Sequence, residues 1–151
     1  MKIPSKTSPV PKTILVVDDD ASVLALVGYM LESGGYNVLV APSAETALRL
    51  VRRNDRKIDL ALLNVLTPDL PGPVLAERIF AIQPRIKVFF MSGYVDFEVL
   101  SVKTANHGLK LLPAPFTSTA LLNAVASMLR TRAQRSAAAA AGGYSISGIR
   151  R

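Results

Sequence analysis

Residues 59–73, with the sequence DLALLNVLTPDLPGP, carry the clearest fold signal in this chain. Residues 60–63 are all apolar, and turn-forming residues follow them at Pro68, Asp69, Pro71, Gly72 and Pro73. A continuous apolar run of this length, bounded by turn signals, predicts a strand buried on both faces. Asn64 follows the run directly, and a polar side chain at the carboxyl end of a strand in an open parallel sheet is a candidate site residue. Asn is also common at the start of turns, so both interpretations stay open at this point.

The composition indicates one domain with a core, since the chain has 151 residues and 50% of them are hydrophobic. No apolar run approaches the ~18 residues of a membrane span, and the first residues lack the apolar segment of a signal peptide. Cysteine is absent, which excludes disulfides and thiolate metal sites and is typical of a reducing compartment. We therefore expect a cytoplasmic protein that does not enter a membrane.

The net charge of +7 is concentrated in the flanks of the chain. Residues 13–129 carry ten Lys and Arg and all eleven Asp and Glu, a net charge of −1. Basic tails around a near-neutral body favour solubility, or loose contact with an acidic surface, over nucleic-acid binding. No helix-turn-helix pattern follows residue 130. We therefore expect no nucleic-acid contact by this domain.

Hydrophobic patterning predicts an α/β fold. Strands are predicted over residues 13–17, 36–41, 60–63, 86–91 and 109–112. Helical spacing of apolar residues predicts a helix after each strand, the fourth weakly patterned over 95–105 and the last over 117–130. Strands that alternate with helices through short loops favour a parallel sheet with helices on both faces. The predicted organisation is a flexible lead over residues 1–12, one domain over 13–130, and a helical extension with a flexible tail over 131–151.

Unusual residues follow four of the predicted strands. They are Asp18 and Asp19 after the first, Asn64 after the third, Ser92 after the fourth, and Ala114 between two prolines after the fifth. Taken alone, the acidic run 18–20 also fits a helix cap with helpful first-turn acids. A doubly wound sheet brings these strand ends together along one edge, which favours a joint site.

Four segments of the chain resemble the receiver domain of bacterial two-component response regulators. They are ILVVDDD at 14–20, DLALLN at 59–64 with Pro68 and Gly72 downstream, FMSGY at 90–94, and LPAPFT at 112–117. The resemblance covers residues 13–130. It implies the CheY-like, flavodoxin-like fold, with five parallel strands in the order 2-1-3-4-5 and a role in phosphorelay signalling.

The resemblance also implies roles for individual residues. Asp18 and Asp19 match the acidic pair that helps hold Mg²⁺ in the family, and Ser92 matches the hydroxyl that contacts the phosphoryl group. Pro115 matches a proline whose preceding peptide bond is usually cis in the family.

Three positions depart from the family pattern. Asn64 stands where the phosphorylated aspartate is expected, Ala114 where a lysine is expected, and Leu111 where a switching aromatic residue is often found. An amide offers no anionic carboxylate nucleophile, and loss of the lysine removes a cation that stabilises the transferring group. The two losses are mutually consistent, because a lysine at 114 without an aspartate at 64 would be a partly buried, unpaired cation.

We therefore expect an atypical receiver domain that is not an enzyme and acts independently of phosphorylation. We expect Asp18 and Asp19 to bind Mg²⁺ more weakly than in an ordinary receiver, and we expect no other cofactor. One alternative is a receiver that responds to phosphate or metal through another acid, such as Asp19 or Asp69. An alternative from another class is a small α/β enzyme or ligand-binding domain using Asp18, Asp19 and Ser92. That class is disfavoured because no glycine-rich phosphate loop follows the first strand.

Receivers usually contact other proteins through their fourth helix, fifth strand and fifth helix. Here these elements correspond to residues 95–105, 109–112 and 117–130. Residues 95–105 contain more apolar side chains than the core-facing side of one helix can bury. We therefore expect an exposed apolar patch that contacts a protein partner or a second copy of the chain. A histidine kinase or an output domain is a possible partner. His107 has no carboxylate or serine partner in sequence and is expected at the surface.

Overall fold

The computed structural model describes residues 10–53, 57–92, 110–113 and 116–130. Its strands are β1 (Thr13–Val17), β2 (Asn37–Ala41), β3 (Leu60–Asn64), β4 (Lys87–Ser92) and β5 (Lys110–Pro113). Its helices are α1 (Ala21–Ser33), α2 (Ala44–Arg53), α3 (Gly72–Ile82) and α4 (Ser118–Arg130). The predicted helix over 95–105, the residues Ala114, Pro115 and His107, and most of the predicted flanks lie outside the described residues.

All five strands form one parallel sheet in the order β2-β1-β3-β4-β5, which confirms the predicted fold class. β1 and β3 lie at the centre of the sheet, and the apolar residues of both strands are fully buried, which confirms the prediction made for residues 60–63. Among the described residues, no helix is long and apolar enough to span a membrane.

The core has two layers, one on each face of the sheet. Alternate residues of β3 point to opposite faces, so that Leu62 packs with α1 and α4 while Leu63 packs with α2 and α3. This division follows from the two-residue period of a strand. A central strand with a helix layer on each side has no solvent-facing side, which explains why its sequence is continuously apolar rather than alternating.

Side-chain caps start three of the described helices. The Asp20 carboxylate accepts hydrogen bonds from the amides of Ser22 at 2.8 Å and Val23 at 3.4 Å, at the start of α1. The Ser43 hydroxyl accepts from the Thr46 amide at 3.1 Å before α2. The Thr117 hydroxyl accepts from the Ala120 amide at 3.0 Å before α4. These contacts satisfy amides that have no partner within the first helical turn.

Two glycines end α1. The Tyr36 amide donates to the Leu31 carbonyl at 3.2 Å, and the Gly35 amide donates to the Glu32 carbonyl at 3.0 Å. Gly35 has a φ of 95°, a left-handed conformation that glycine adopts without a steric penalty. This turn reverses the chain directly into β2.

Six of the predicted strand boundaries move by one residue: β2, β4 and β5 begin one residue later, and β3, β4 and β5 end one residue later. β3 includes Asn64, which pairs with Met91, and β4 includes Ser92, which pairs with Pro113. The apolar pattern ends before these two positions, which lie at the carboxyl edge of the sheet. Backbone pairing nevertheless continues through them, and it carries Asn64 and Ser92 to the same edge.

Candidate functional site at the carboxyl edge of the sheet

The carboxyl ends of β1, β3 and β4 place three of the predicted site residues side by side. Asp18 follows β1 directly, Asn64 is the last residue of β3, and Ser92 is the last residue of β4. β3 lies between β1 and β4 in the sheet, so Asn64 occupies the middle of this edge. The structure describes the backbone of Ser92 but not its side chain, and Ala114 lies outside the described residues.

Asp18 is a buried carboxylate, with only 6% of its surface exposed. One of its oxygens accepts a hydrogen bond from the Asp20 amide at 2.8 Å. Burial raises the pKa of the Asp18 carboxyl, and the nearby charges of Asp19 and Asp20 raise it further. Hydrogen bonds from the Asp20 amide and the Asn64 side chain act in the opposite direction. Asp19 itself is exposed.

Asn64 anchors the loop that follows β3. Its Oδ1 accepts a hydrogen bond from the Leu66 amide at 3.2 Å. The Asn64 side chain also lowers the pKa of the Asp18 carboxyl, against the larger effect of burial. The amide thereby ties the end of β3 to the loop that follows it.

The loop between β3 and α3 is held close to the end of β3. The Val65 amide donates to the Met91 carbonyl at 3.1 Å, and the Gly72 amide donates to the Val65 carbonyl at 2.8 Å. A Cβ atom on Gly72 would lie 2.8 Å from the Asn64 carbonyl oxygen, so only glycine fits here. The buried Thr67 hydroxyl donates to the Leu70 carbonyl within the same loop. The backbone around Asn64 is thus fixed from both sides.

Asp69 has a structural partner that sequence reasoning missed. Its two carboxylate oxygens accept hydrogen bonds from the amides of Ala44 at 3.2 Å and Glu45 at 3.1 Å, in the first turn of α2. The Ala44 hydrogen bond is the main cause of a lowered pKa at Asp69. The sequence carries no local signal for this contact, because the partners lie 25 and 24 residues away. Asp69 therefore acts as a second cap of α2.

Leu111 lies on β5, at the position predicted to have lost an aromatic switch residue. It is half-buried and packs against the core layer formed with α2 and α3. A leucine side chain in this place contributes to the core. It has no polar group that could form a hydrogen bond at the carboxyl edge of the sheet.

A groove at the opposite, amino edge of the sheet contains charged side chains that make structural contacts. The Asp59 carboxylate accepts from the Thr13 amide at 2.8 Å and lies 4.0 Å from Lys12 and 3.8 Å from Lys57. The Lys87 ammonium donates to the Met128 carbonyl at 3.1 Å. Burial lowers the pKa of Lys87, and the charge of Lys12 lowers it further. These contacts join the first strand and the last helix to the sheet, away from the predicted site.

The residue at the end of β3 is an amide, and its oxygen accepts a hydrogen bond from the Leu66 amide. The carboxylates that follow the neighbouring strand β1 on this edge are Asp18, which is buried, and Asp19, which is exposed. Within the described ranges, no group of three or more His, Cys, Asp and Glu side chains is arranged to hold a metal ion.

The sequence and the fold of this chain are similar to those of one protein family. The model of the response regulator receiver domain matches residues 14–126. The sensor kinase CckA of Brucella abortus is 31% identical over 117 residues, which cover 78% of this chain and 12% of that protein. The transcriptional regulatory protein ZraR of Escherichia coli O157:H7 is 39% identical over 97 residues, which cover 64% of this chain and 20% of that protein.

Solved structures agree with the sequence relatives. A response regulator receiver domain protein from Clostridium thermocellum has a TM-score of 0.72 at 28% identity, covering 78% of this chain and 94% of that one. The receiver domain of the hybrid histidine kinase CckA has a TM-score of 0.65 at 28% identity, covering 78% of this chain and 99% of that one. This chain spans a fifth or less of the two curated relatives, so it corresponds to one domain of each. The chain therefore belongs to the response regulator receiver domain family of two-component systems, with a CheY-like fold.

Proposed function

We propose that this receiver domain acts without aspartyl phosphorylation, as a protein-interaction module of a two-component system. The observation that carries the proposal is Asn64 at the end of β3, where the family has its phosphoacceptor. An acyl phosphate forms only on a carboxylate. The Asn64 amide offers none, and its oxygen already accepts a hydrogen bond from the Leu66 amide.

The other acids near this edge are poorly suited to replace the missing aspartate. Asp69 directs both carboxylate oxygens to amides at the start of α2. Asp18 is buried and accepts a hydrogen bond from the Asp20 amide. Asp19 is exposed and follows β1, not the central β3. These placements favour an unphosphorylated domain over one that responds to phosphate through another acid.

An enzyme or ligand-binding domain using Asp18, Asp19 and Ser92 has less support. A catalytic carboxylate must come within hydrogen-bond distance of its substrate. Asp18 is 6% exposed and hydrogen-bonded on the protein side, so its carboxylate serves the fold rather than a substrate. We therefore assign the domain a binding role and no catalytic one.

The partner surface we propose includes residues 95–105, β5 and α4. The described part of this surface is mainly polar, because α4 buries Leu121, Val125 and Met128 in the core and exposes small polar side chains. The apolar contribution would come from Phe97 and Leu100, which lie outside the described residues. The basic segment 130–135 follows α4 directly and would attract an acidic partner. A histidine kinase, an output domain and a second copy of the chain are the candidate partners.

Phosphotransfer tests the proposal directly. The full chain is incubated with acetyl phosphate and Mg²⁺ beside a receiver that carries the phosphoacceptor aspartate, and both are analysed by intact mass. We expect the control to gain one phosphoryl group and this chain to gain none. A phosphoryl group mapped to any residue of this chain would show that the domain is still switched covalently, and the proposal would be wrong.

A further inference from the structure

Charged side chains are segregated between the two edges of the sheet. The carboxyl edge carries the acidic run 18–20 after β1, Glu45 in the first turn of α2, and Asp69 beside it. The amino edge carries cations instead, with Glu32 and Asp59 as the carboxylates that the described residues place there. These cations are Lys12, Arg52, Arg53, Lys57, Arg85, Lys87 and Arg130. The domain is therefore acidic at one end and basic at the other.

Helix direction explains part of this polarity. Every described helix follows a strand and runs back along it, so its first turn lies near the carboxyl edge and its last turn near the amino edge. Acids near a helix start and bases near a helix end are stabilised by the helix dipole, which accounts for Glu45 and for residues 52–53 of α2. Lys12, Lys57 and Arg85 lie outside the helices. The excess of cations at the amino edge is thus larger than the helix ends require.

The basic edge contains a groove with both apolar and cationic lining. Ile82 and Leu129 contribute half-buried apolar side chains, and the exposed Lys57 and Arg85 line the same groove. Among the described residues that line it, the one carboxylate is Asp59, which accepts a hydrogen bond from a backbone amide at 2.8 Å. A groove of this composition is complementary to an apolar side chain surrounded by carboxylates.

The carboxyl edge of the same chain has that composition. Leu66, in the loop after β3, is 56% exposed although it is a large apolar residue. The exposed carboxylates of Asp19, Asp69 and Glu45 lie on the same edge. We propose that the carboxyl edge of one copy of the chain docks on the amino edge of a second copy, with Leu66 in the groove beside Lys57 and Arg85. The two contacting surfaces differ, so the contact is heterologous and joins copies head to tail.

This contact goes beyond the proposed partner surface of residues 95–105, β5 and α4, because it uses the two ends of the domain. An acidic segment of another protein also matches the groove, but a second copy supplies both complementary edges. Exposed charges more than about 8–10 Å apart are largely screened at physiological salt. The head-to-tail contact is therefore strongest at low ionic strength.

Charge reversal at each edge, followed by sedimentation velocity, tests the proposal on the full chain. One variant combines Lys57→Glu with Arg85→Glu and has two acidic ends. The other combines Asp19→Lys with Glu45→Lys and has two basic ends. We expect the original protein to self-associate at low salt and to dissociate as salt rises from about 0.05 M to about 0.5 M. Each variant alone should associate at least about tenfold more weakly, and an equimolar mixture of the two should associate again.

A double reversal away from both edges is the matched control. Glu77 and Arg78 are exposed in the middle of α3, so Glu77→Lys with Arg78→Glu should leave self-association unchanged. Leu66→Ser removes the apolar contact without a change in charge and should also weaken association at least about tenfold. Far-UV circular dichroism checks that each variant is folded. If a charge reversal does not fold, Leu66→Ser and the salt dependence of the original protein decide the matter.

Several results would overturn the proposal. A monomeric original protein at low salt and about 0.5 mM, where a contact with a Kd near 1 mM is visible, removes the second copy as the occupant. Association that survives either edge reversal or Leu66→Ser, or that is lost in the control, places the contact elsewhere. A mixture of the two reversals that stays monomeric excludes the head-to-tail arrangement. None of these results bears on phosphotransfer, which measures covalent chemistry, so the proposed function fails or stands separately.

Discussion

Gly72→Ala, compared with Gly28→Ala, tests how closely the start of α3 must approach the end of β3. At Gly72 an added Cβ would lie 2.8 Å from the Asn64 carbonyl oxygen and 2.9 Å from Cα and the carbonyl oxygen of Val65. All three neighbours are backbone atoms of a buried segment, so none can rotate away. At Gly28 the nearest atom outside α1 is Val38 Cγ1 at 3.7 Å, an ordinary van der Waals contact.

The two substitutions should change stability in opposite directions. Overpacking against fixed atoms costs about 1–3 kcal/mol, which we expect for Gly72→Ala. Gly28 lies in the interior of α1, where exchange of glycine for alanine stabilises a helix by about 0.8–1 kcal/mol. With a urea m-value of about 1–3 kcal/mol/M, shifts of this size move the unfolding midpoint by several tenths of a molar or more.

Urea denaturation followed by far-UV circular dichroism measures both variants under the same conditions. We expect the midpoint to fall for Gly72→Ala and to rise for Gly28→Ala, with the m-value unchanged in each. A Gly72→Ala variant as stable as the original protein would refute the close approach described for this loop. A fall of equal size in both variants would indicate that any side chain at a buried glycine is harmful, and the specific argument for Gly72 would be lost.

Three further predictions concern α2, the lost switch and the partner surface. Asp69→Ala should cost about 0.5–1 kcal/mol at pH 7, because the amides of Ala44 and Glu45 lose an acceptor. The pKa of Asp69 is lowered in the folded state, so its contribution is present above the unfolded pKa and disappears as pH falls through the folded value. The stability difference between the two proteins should therefore shrink in acid, and a difference independent of pH would exclude the carboxylate as its source. Asn64→Asp alone should not restore a switch, since position 114 still lacks a cation and position 111 an aromatic ring. Phosphodonor-dependent partner binding or oligomerisation by that variant, measured by light scattering, would contradict this expectation. Phe97→Glu and Leu100→Glu should weaken self-association or partner binding in sedimentation or titration experiments, whereas Asn64→Ala should not. Val40→Glu is a matched control because Val40 is exposed on β2, at the opposite edge of the sheet from β5. Weakening by Val40→Glu alone would place the interface at the β2 edge instead.

The strand order and the residue types at the carboxyl edge could be predicted from the sequence. Strand and helix positions follow from local periods of apolar residues, and each strand boundary that differs from its prediction does so by one residue. The caps at Asp20, Ser43 and Thr117 depend on local sequence, because each contacts an amide two or three residues away. The amide of Asn64, directly after an apolar strand, is likewise visible in the sequence.

The contacts between distant segments depend on the tertiary structure. Asp18 follows β1 and is brought beside Asn64 by the pairing of β1 with β3. Asp69 caps α2 across 25 residues, and Lys87 reaches the Met128 carbonyl across 41. Contacts of this kind have no local sequence pattern, because they arise when separate segments are brought together by the strand order and the helix crossovers. The residue types therefore limit which chemistry is possible at the edge, and the packing of distant segments selects the hydrogen bonds that form there.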